Sequence, residues 1–295
     1  MNRRSLLKGA LMGASALVLR PAFSFADEAR DIGGGEHAAK FAALERQYGG
    51  RLGVSILDTG KGHRIGHRAD ERFLMCSTFK LVLVAAVLAR VDHRMDRLDR
   101  RIVFGPDVVL SYAPVTSKHV GEPGMTVAEL CQAAITLSDN TAANLLLTSV
   151  GGPAAVTTCL RQIGDQVTRL DRTEPTLNVG SPGDLRDTTT PNAMLETMRT
   201  LLLGTALSEA SCTQLAEWLR ATSTGLDKLR AGVPAGWIVG DKTGSGSHGE
   251  TNDIAIIWPP QRKPLLVTTY YAGSTADAAG RSAVFAEVGR IAAAI

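Results

Sequence analysis

Apolar and polar positions alternate with three different rhythms along this chain, and their distribution sets its architecture. The longest apolar run is Leu81-Val82-Leu83-Val84-Ala85-Ala86-Val87-Leu88, which has no polar side to turn outward. With good helix formers from Lys80 to Arg90, it predicts a helix over 78–90 that is apolar nearly all round and therefore buried. Amphipathic helical patterns cover 37–48, stopped by Gly49-Gly50, and 126–137, opened by the capping box of Thr126 and Glu129. Others cover 141–150, 153–164 with Pro153 at its first position, 190–203 opened by Thr190-Pro191, 209–220 and 276–295. Strand-like runs lie elsewhere. Residues 52–57 and 63–67 flank a hairpin signal, Asp58-Thr59-Gly60-Lys61-Gly62, and 237–243, 253–258 and 265–271 are separated by Gly-rich and Pro-Pro turns. Residues 102–120 read mostly as loop, with Tyr112 at the middle. The stretch from about 165 to 188 has neither period, and so long a loop in a compact domain is usually functional.

Strands at both ends and helices between them predict an α+β fold: an antiparallel five-stranded sheet flanked by helices and built from both termini, with an inserted all-helical domain. The expected division is 27–75 with 221–295 for the sheet domain and 76–220 for the helical one. Residues 1–26 stand outside it. Arg3, Arg4 and Lys8 precede an apolar segment from Ala10 to Leu19, and Ser24 and Ala26 bracket Phe25. That is the layout of an export signal cleaved near Ala26, and the paired arginines resemble a twin-arginine signal. A periplasmic or secreted monomer is expected, with no membrane association once processed, because no other segment approaches 18 apolar residues.

Charge and cysteine usage narrow the classes further. The net charge of +3 comes from the leader: without Arg3, Arg4, Lys8 and Arg20 the 32 bases become 28, against 29 acids, net −1. With no basic tract carrying interleaved aromatics, nucleic-acid binding has no support. Export would permit disulfides, and Cys76, Cys131, Cys159 and Cys212 allow three pairings, but burial as small apolar residues fits them better. No cysteine spacing suits zinc, and the six histidines contain no His-Glu-x-x-His; no metal or cofactor is expected.

Candidate chemistry begins at the buried helix. Ser77 stands at its N-terminus and Lys80 three residues on, on the same face. The helix end supplies free N–H groups and partial positive charge, and a desolvated lysine pushed toward it is disfavoured as a cation. A neutral amine beside a hydroxyl is a general base beside a nucleophile. The spacing alone carries little weight, since Ser5-Leu6-Leu7-Lys8 in the leader has it too. Ser138-Asp139-Asn140 breaks two apolar helices, either as polar side chains that need partners on buried walls or as a junction N-capped by Asp139. Lys242-Thr243-Gly244-Ser245-Gly246 ends a strand with a fixed cation, two hydroxyls and glycines that admit another group close to the backbone; alone, it reads equally as a strand entering a turn. In the long loop Glu174 is a candidate base, with Asn178 able to fix a water beside it. Pro175 is a candidate for a cis bond, and Arg172 and Asp187 could pair and pin the loop.

Taken together, in this order and at these separations, the three motifs resemble those of the class A serine β-lactamases, over essentially all of residues 36–295. The Gly-Glu-Thr-Asn-Asp-Ile-Ala run at 249–255 and Ser245 are most similar to the branch that hydrolyses cefotaxime-type cephalosporins. The resemblance implies hydrolysis of penicillins and cephalosporins through a serine acyl-enzyme, conferring antibiotic resistance, with a small-molecule β-lactam as the partner. It implies Ser77 as nucleophile and the N–H groups of Ser77 and Ser245 as oxyanion hole. It makes Lys80, or Glu174 through a water, the acylation base, and Ser138 the proton donor to the departing nitrogen. Asn140 would bind the acylamide chain; Lys242, Thr243 and Ser245 the substrate carboxylate; Glu174 and Asn178 the deacylating water; Tyr112 would form a cleft wall. Many members add an arginine for the carboxylate where this chain has Glu250 and Thr251, leaving Lys228 or Arg281 as substitutes. The family's usual disulfide would join Cys131 to the position of Val84, and the carbapenemase bridge would join Cys76 to that of Gly246, so both are expected to be missing.

Two other readings share these features. A penicillin-binding D,D-peptidase has the same three motifs and the acylation step but no positioned base for rapid hydrolysis, so Glu174 separates the two. A catalytically dead binding domain would have lost a reacting group, whereas Ser77, Lys80, Ser138, Glu174 and Lys242 are all present.

Overall fold

A computed structural model describes residues 34–181 and 183–295, so the predicted leader lies outside the described residues. The chain opens with helix α1 (Gly34–Tyr48), strand β1 (Gly49–Asp58) and strand β2 (His63–His67), the hairpin expected from the Gly-rich turn. Helix α2 (Phe79–Asp92) follows, then α3 (Val127–Thr136), α4 (Asn140–Val150), α5 (Pro153–Gln162), α6 (Pro191–Leu202), α7 (Glu209–Arg220) and the short α8 (Leu229–Gly232). Strands β3 (Ile238–Ser245), β4 (Thr251–Trp258) and β5 (Leu265–Ser274) precede the last helix, α9 (Ala278–Ala293). The five strands form one antiparallel sheet in the order β2-β1-β5-β4-β3, so the N- and C-terminal strands meet at β1 and β5, as the expected α+β architecture requires.

Two apolar clusters pack on this sheet. One joins α1 and α9 to it through residues such as Phe41, Leu52, Val267, Phe285 and Ile291. The other runs from the sheet through α2 and the helices around it, taking in Leu83, Leu130, Leu147, Met194 and Leu215. Every residue from Phe79 to Leu88 is buried. Full burial of a Leu, Val or Phe side chain contributes about 1.5–3 kcal/mol, so α2 is firmly seated and a rigid base for whatever its first turn carries.

Local signals account for the helix ends. Thr126 accepts from the Glu129 N–H while Glu129 reaches back to Thr126, the reciprocal box foreseen at the start of α3. Thr190 caps α6, Ser208 caps α7 and Asp277 caps α9. Three short features carry no advance signal: α8, and the two-residue ladders Phe73–Leu74 with Thr188–Thr189 and Arg101–Ile102 with Met125–Thr126. The first ladder ties the long loop's exit to the segment just before Ser77. The predicted helix at 78–90 is preceded by a 3-10 turn, Cys76–Thr78, so Ser77 lies within that turn.

Candidate active site

The turn before α2 is held in an unfavourable backbone conformation. Cys76 has φ 46°, in the left-handed region that L-residues avoid. Neighbours fix it there: Asn252 of β4 donates to the Leu74 and Met75 carbonyls at 2.9 and 3.0 Å, and the Met75 N–H donates to Asp187 O at 2.9 Å. Ser77 is thereby aimed away from α2 into the junction between helices and sheet. Lys80, one helical turn on, reaches the same point. Its ammonium donates to Ser77 Oγ at 3.0 Å, Ser138 O at 2.8 Å, Ser138 Oγ at 3.3 Å and Asn140 Oδ1 at 2.6 Å.

Ser138 and Asn140 arrive there because the α3–α4 break is clamped by the residue between them. Asp139 is fully buried, caps α4 through the Ala142 N–H, and accepts from the N–H groups of Val115 and Thr116 and from the Thr116 hydroxyl. The N-cap reading of Asp139 and the polar-wall reading of its neighbours are therefore both correct. Ser138 takes the left-handed φ of 57° that this sharp break demands. The Asn140 N–H donates to Tyr112 O at 3.1 Å, which sets the half-exposed Tyr112 beside Asn140.

Glu174 comes from the long loop. Arg172 Nε meets Asp187 Oδ2 at 2.5 Å, the pair anticipated from the sequence, and Asp187 Oδ1 also accepts the N–H groups of Asp171 and Arg172. The Glu174–Pro175 bond is cis. Asn144, absent from the sequence-derived candidates, holds the Glu174 backbone at both ends: its amide donates to Glu174 O at 2.9 Å and accepts from Glu174 N at 3.0 Å. Its signal was its place four residues after Asn140, on the same face of α4. The Glu174 carboxylate accepts from Asn178 Nδ2, from Lys80 at 2.9 Å and from the Ser77 hydroxyl at 3.2 Å. That last contact is direct.

β3 closes the other side. Lys242 is fully buried and donates to Ser138 Oγ at 3.1 Å and Thr243 O at 2.8 Å, so the Ser138 hydroxyl lies between two lysine ammonium groups. Thr243 shares a hydroxyl–hydroxyl hydrogen bond of 2.7 Å with Thr224, and Ser245 is exposed at the strand end. A Cβ at Gly244 would lie 3.2 Å from Ser77 N and 2.9 Å from Met75 O, so glycine alone lets the strand approach the nucleophile's backbone this closely. Lys228 and Arg281 are not brought in by hydrogen bonds. The Lys228 ammonium is bonded to Asp227 at 2.9 Å, and the Arg281 guanidinium to Ala276 O at 2.5 Å. All four cysteines are free.

Burial pushes the Lys80 ammonium's pKa down, with the Glu174 charge opposing. Burial, reinforced by the Lys80 charge, lowers Lys242 to about 7. Lys242 is thus a cation below about pH 7 and increasingly neutral above it, where an anionic group would be held less well. The kcat/KM of the free enzyme toward an anionic substrate should therefore fall as pH rises through this range. Lys242→Arg, which stays charged, is expected to move that alkaline limb upward. An unmoved limb in the pH–rate profile would remove Lys242 from it.

A serine bonded to a buried lysine and a buried carboxylate, with a hydroxyl between two lysine amino groups beside it, is the arrangement of an acyl-transferring serine hydrolase. Residues 36–295 match the model of the β-lactamase enzyme family. The chain is 45% identical to β-lactamase CTX-M-25 of Escherichia coli, over 99% of this chain and 98% of that protein. It is 52% identical to β-lactamase L2 of Stenotrophomonas maltophilia, over 86% and 84%. A solved ancestral (GNCA) class A β-lactamase superposes with a TM-score of 0.85 at 65% identity, covering 86% of this chain and 97% of that one. The chain belongs to the class A β-lactamase family.

Proposed function

We propose that this chain opens the β-lactam ring of penicillins and cephalosporins by acylation and deacylation of Ser77, and so confers resistance to them. The observation that carries this reading is the direct contact of Ser77 Oγ with both Lys80 and Glu174. Ser77 Oγ attacks the lactam carbonyl and its proton passes to this lysine–carboxylate pair, either member of which is within reach. The negative charge on the carbonyl oxygen is met by the N–H groups of Ser77 and Ser245. The C–N bond breaks as Ser138 gives its proton to the nitrogen, and Ser138 is reprotonated from the lysines bonded to it. The ester is then attacked by water, Glu174 takes the water's proton with Asn178 holding the carboxylate, and Ser77 Oγ leaves, regaining a proton.

Lys242, Thr243 and Ser245 bind the substrate carboxylate, Asn140 the acylamide chain, and Tyr112 forms one wall. Lys228 and Arg281, each bonded elsewhere, are given no direct part. The D,D-peptidase reading leaves unexplained a carboxylate held against the nucleophile, by Asn144 on its backbone and Asn178 on its side chain, as rapid hydrolysis of the ester needs. The leader supports a periplasmic or secreted location. The test is fractionation of cells expressing the full chain: nitrocefin-opening activity is expected in the periplasmic fraction, and none from Ser77→Ala. Activity in Ser77→Ala would sink the mechanism, and activity confined to the cytoplasm would sink the location.

A further inference from the structure

The turn between β3 and β4 contains a carboxylate that touches none of the reacting groups. Glu250 is folded back beneath the turn, its side chain only 13% exposed. Its Oε2 accepts the His248 N–H at 2.8 Å, and its backbone carbonyl accepts the Gly246 N–H at 3.0 Å. A Cβ at Gly246 would collide with that same Oε2, so the carboxylate fills the space that a larger residue at 246 would take. One residue on, Ser247 donates its N–H to Asn178 O at 3.2 Å and its hydroxyl to the same oxygen at 3.4 Å. Asn178 in turn donates to the Glu174 carboxylate and to Pro175 O. Hydrogen bonds, joined by the covalent chain of residues 246–248 and of Asn178, therefore connect Glu250 to the side chain of Glu174.

We propose that Glu250 is a positioning residue for deacylation: it shapes the β3–β4 turn so that Ser247 backs the loop segment presenting Asn178 and Glu174. The proposal rests on the function argued for this site. For acylation, Ser77, Lys80 and Ser138 are held by α2 and the α3–α4 break and have no hydrogen bond to this turn, and Lys80 by itself can take the Ser77 proton. The Ser245 N–H at the turn's entry meets the oxyanion in both half-reactions, so a shift there would slow both alike. Deacylation depends on how Glu174 and Asn178 meet a water. Displacement of such a group by about 1 Å can cost up to about 100-fold in rate. The two half-reactions should therefore respond differently to loss of the brace.

The test measures acylation and deacylation of Ser77 separately, by rapid-quench mass spectrometry with benzylpenicillin. Glu250→Ala is expected to slow deacylation about 10-fold while acylation stays within about 2-fold. Glu250→Gln keeps an acceptor for the His248 N–H and should recover deacylation to within about 2-fold. Gly246→Ala, which drives the carboxylate out without removing it, should slow deacylation by a similar factor and add little in the Glu250→Ala background. Should Glu250→Ala fail to fold, the Gln and Gly246→Ala arms still decide. Unchanged deacylation, a parallel fall in acylation, a Gln variant no better than Ala, or additive losses in the double variant would each overturn the proposal. A wild-type protein that never acylates would refute the function itself, a distinguishable result.

Discussion

Glu174→Ala is expected to accumulate a penicilloyl ester on Ser77 that persists for minutes, with kcat for benzylpenicillin down by about 10³–10⁴. A positioned general base contributes about 10²–10⁴-fold, and here the base is also the group against which the lysine and the water are arranged. Acylation should survive more of the loss. Without the carboxylate, Lys80 still donates to Ser138 O, to Asn140 Oδ1 and to Ser77 Oγ, so the nucleophile keeps its partner. Burial already disfavours the charged form of Lys80, and losing Glu174 removes the charge that opposes this, so more of the lysine is in the neutral form that can take the serine proton. The same argument limits the stability cost. Removing one partner of a buried pair usually destabilises by about 3–5 kcal/mol because the other stays charged, but an amine that can shed its proton avoids most of that. Mass spectrometry of the variant mixed with benzylpenicillin checks the adduct, and a melting curve checks the fold. Wild-type turnover without an adduct would remove Glu174 from the mechanism.

How much of this site could be read in advance depended on how local its causes are. The helix caps at Thr126, Asp139 and Thr190 follow from side chains bonding N–H groups within three residues, and local chemistry of that kind is written in the sequence. The Arg172–Asp187 pair was legible because both residues sit near the ends of one unpatterned stretch. The meeting of Ser77 with Glu174, 97 residues apart, follows from no period or propensity and was supplied by the family resemblance. Asn144 and Asn252 were overlooked for related reasons. A single amide in an apolar helix or strand has no pattern, and its partners are backbone groups of distant segments. The ladder of Phe73–Leu74 with Thr188–Thr189 is too short for any alternation to show. The positive φ of Cys76 and Ser138 was invisible as well, since neither residue advertises it; both are imposed by neighbours, at the two hydroxyl-bearing turns where the chemistry is concentrated.

Gly244→Ala should do the opposite of Glu174→Ala: acylation falls by about 10²–10³ and no adduct builds up. The new methyl group would meet Met75 O at 2.9 Å, Cys76 Cβ at 3.2 Å and Ser77 N at 3.2 Å. The turn at 75–77 cannot give way easily, because Asn252 grips it from β4 and Asp187 O accepts the Met75 N–H. β3 must move outward instead, and it carries Ser245, whose N–H is the second oxyanion donor in the proposed mechanism. Loss of one such donor costs about 10²–10³ in rate, and a displaced strand also misplaces Lys242 against Ser138. Overpacking of this kind destabilises by about 1–3 kcal/mol, and each kcal/mol lowers Tm by roughly 2–4 °C in a domain of this size, so the variant should still fold at assay temperature. Combining it with Glu174→Ala makes the result decisive. The double variant is expected to take up benzylpenicillin no faster than Gly244→Ala alone, because the step that fails first is ring opening. Acylation at the wild-type rate in Gly244→Ala would show that β3 has room to spare, and that the close approach of Gly244 to Ser77 does not build the oxyanion site.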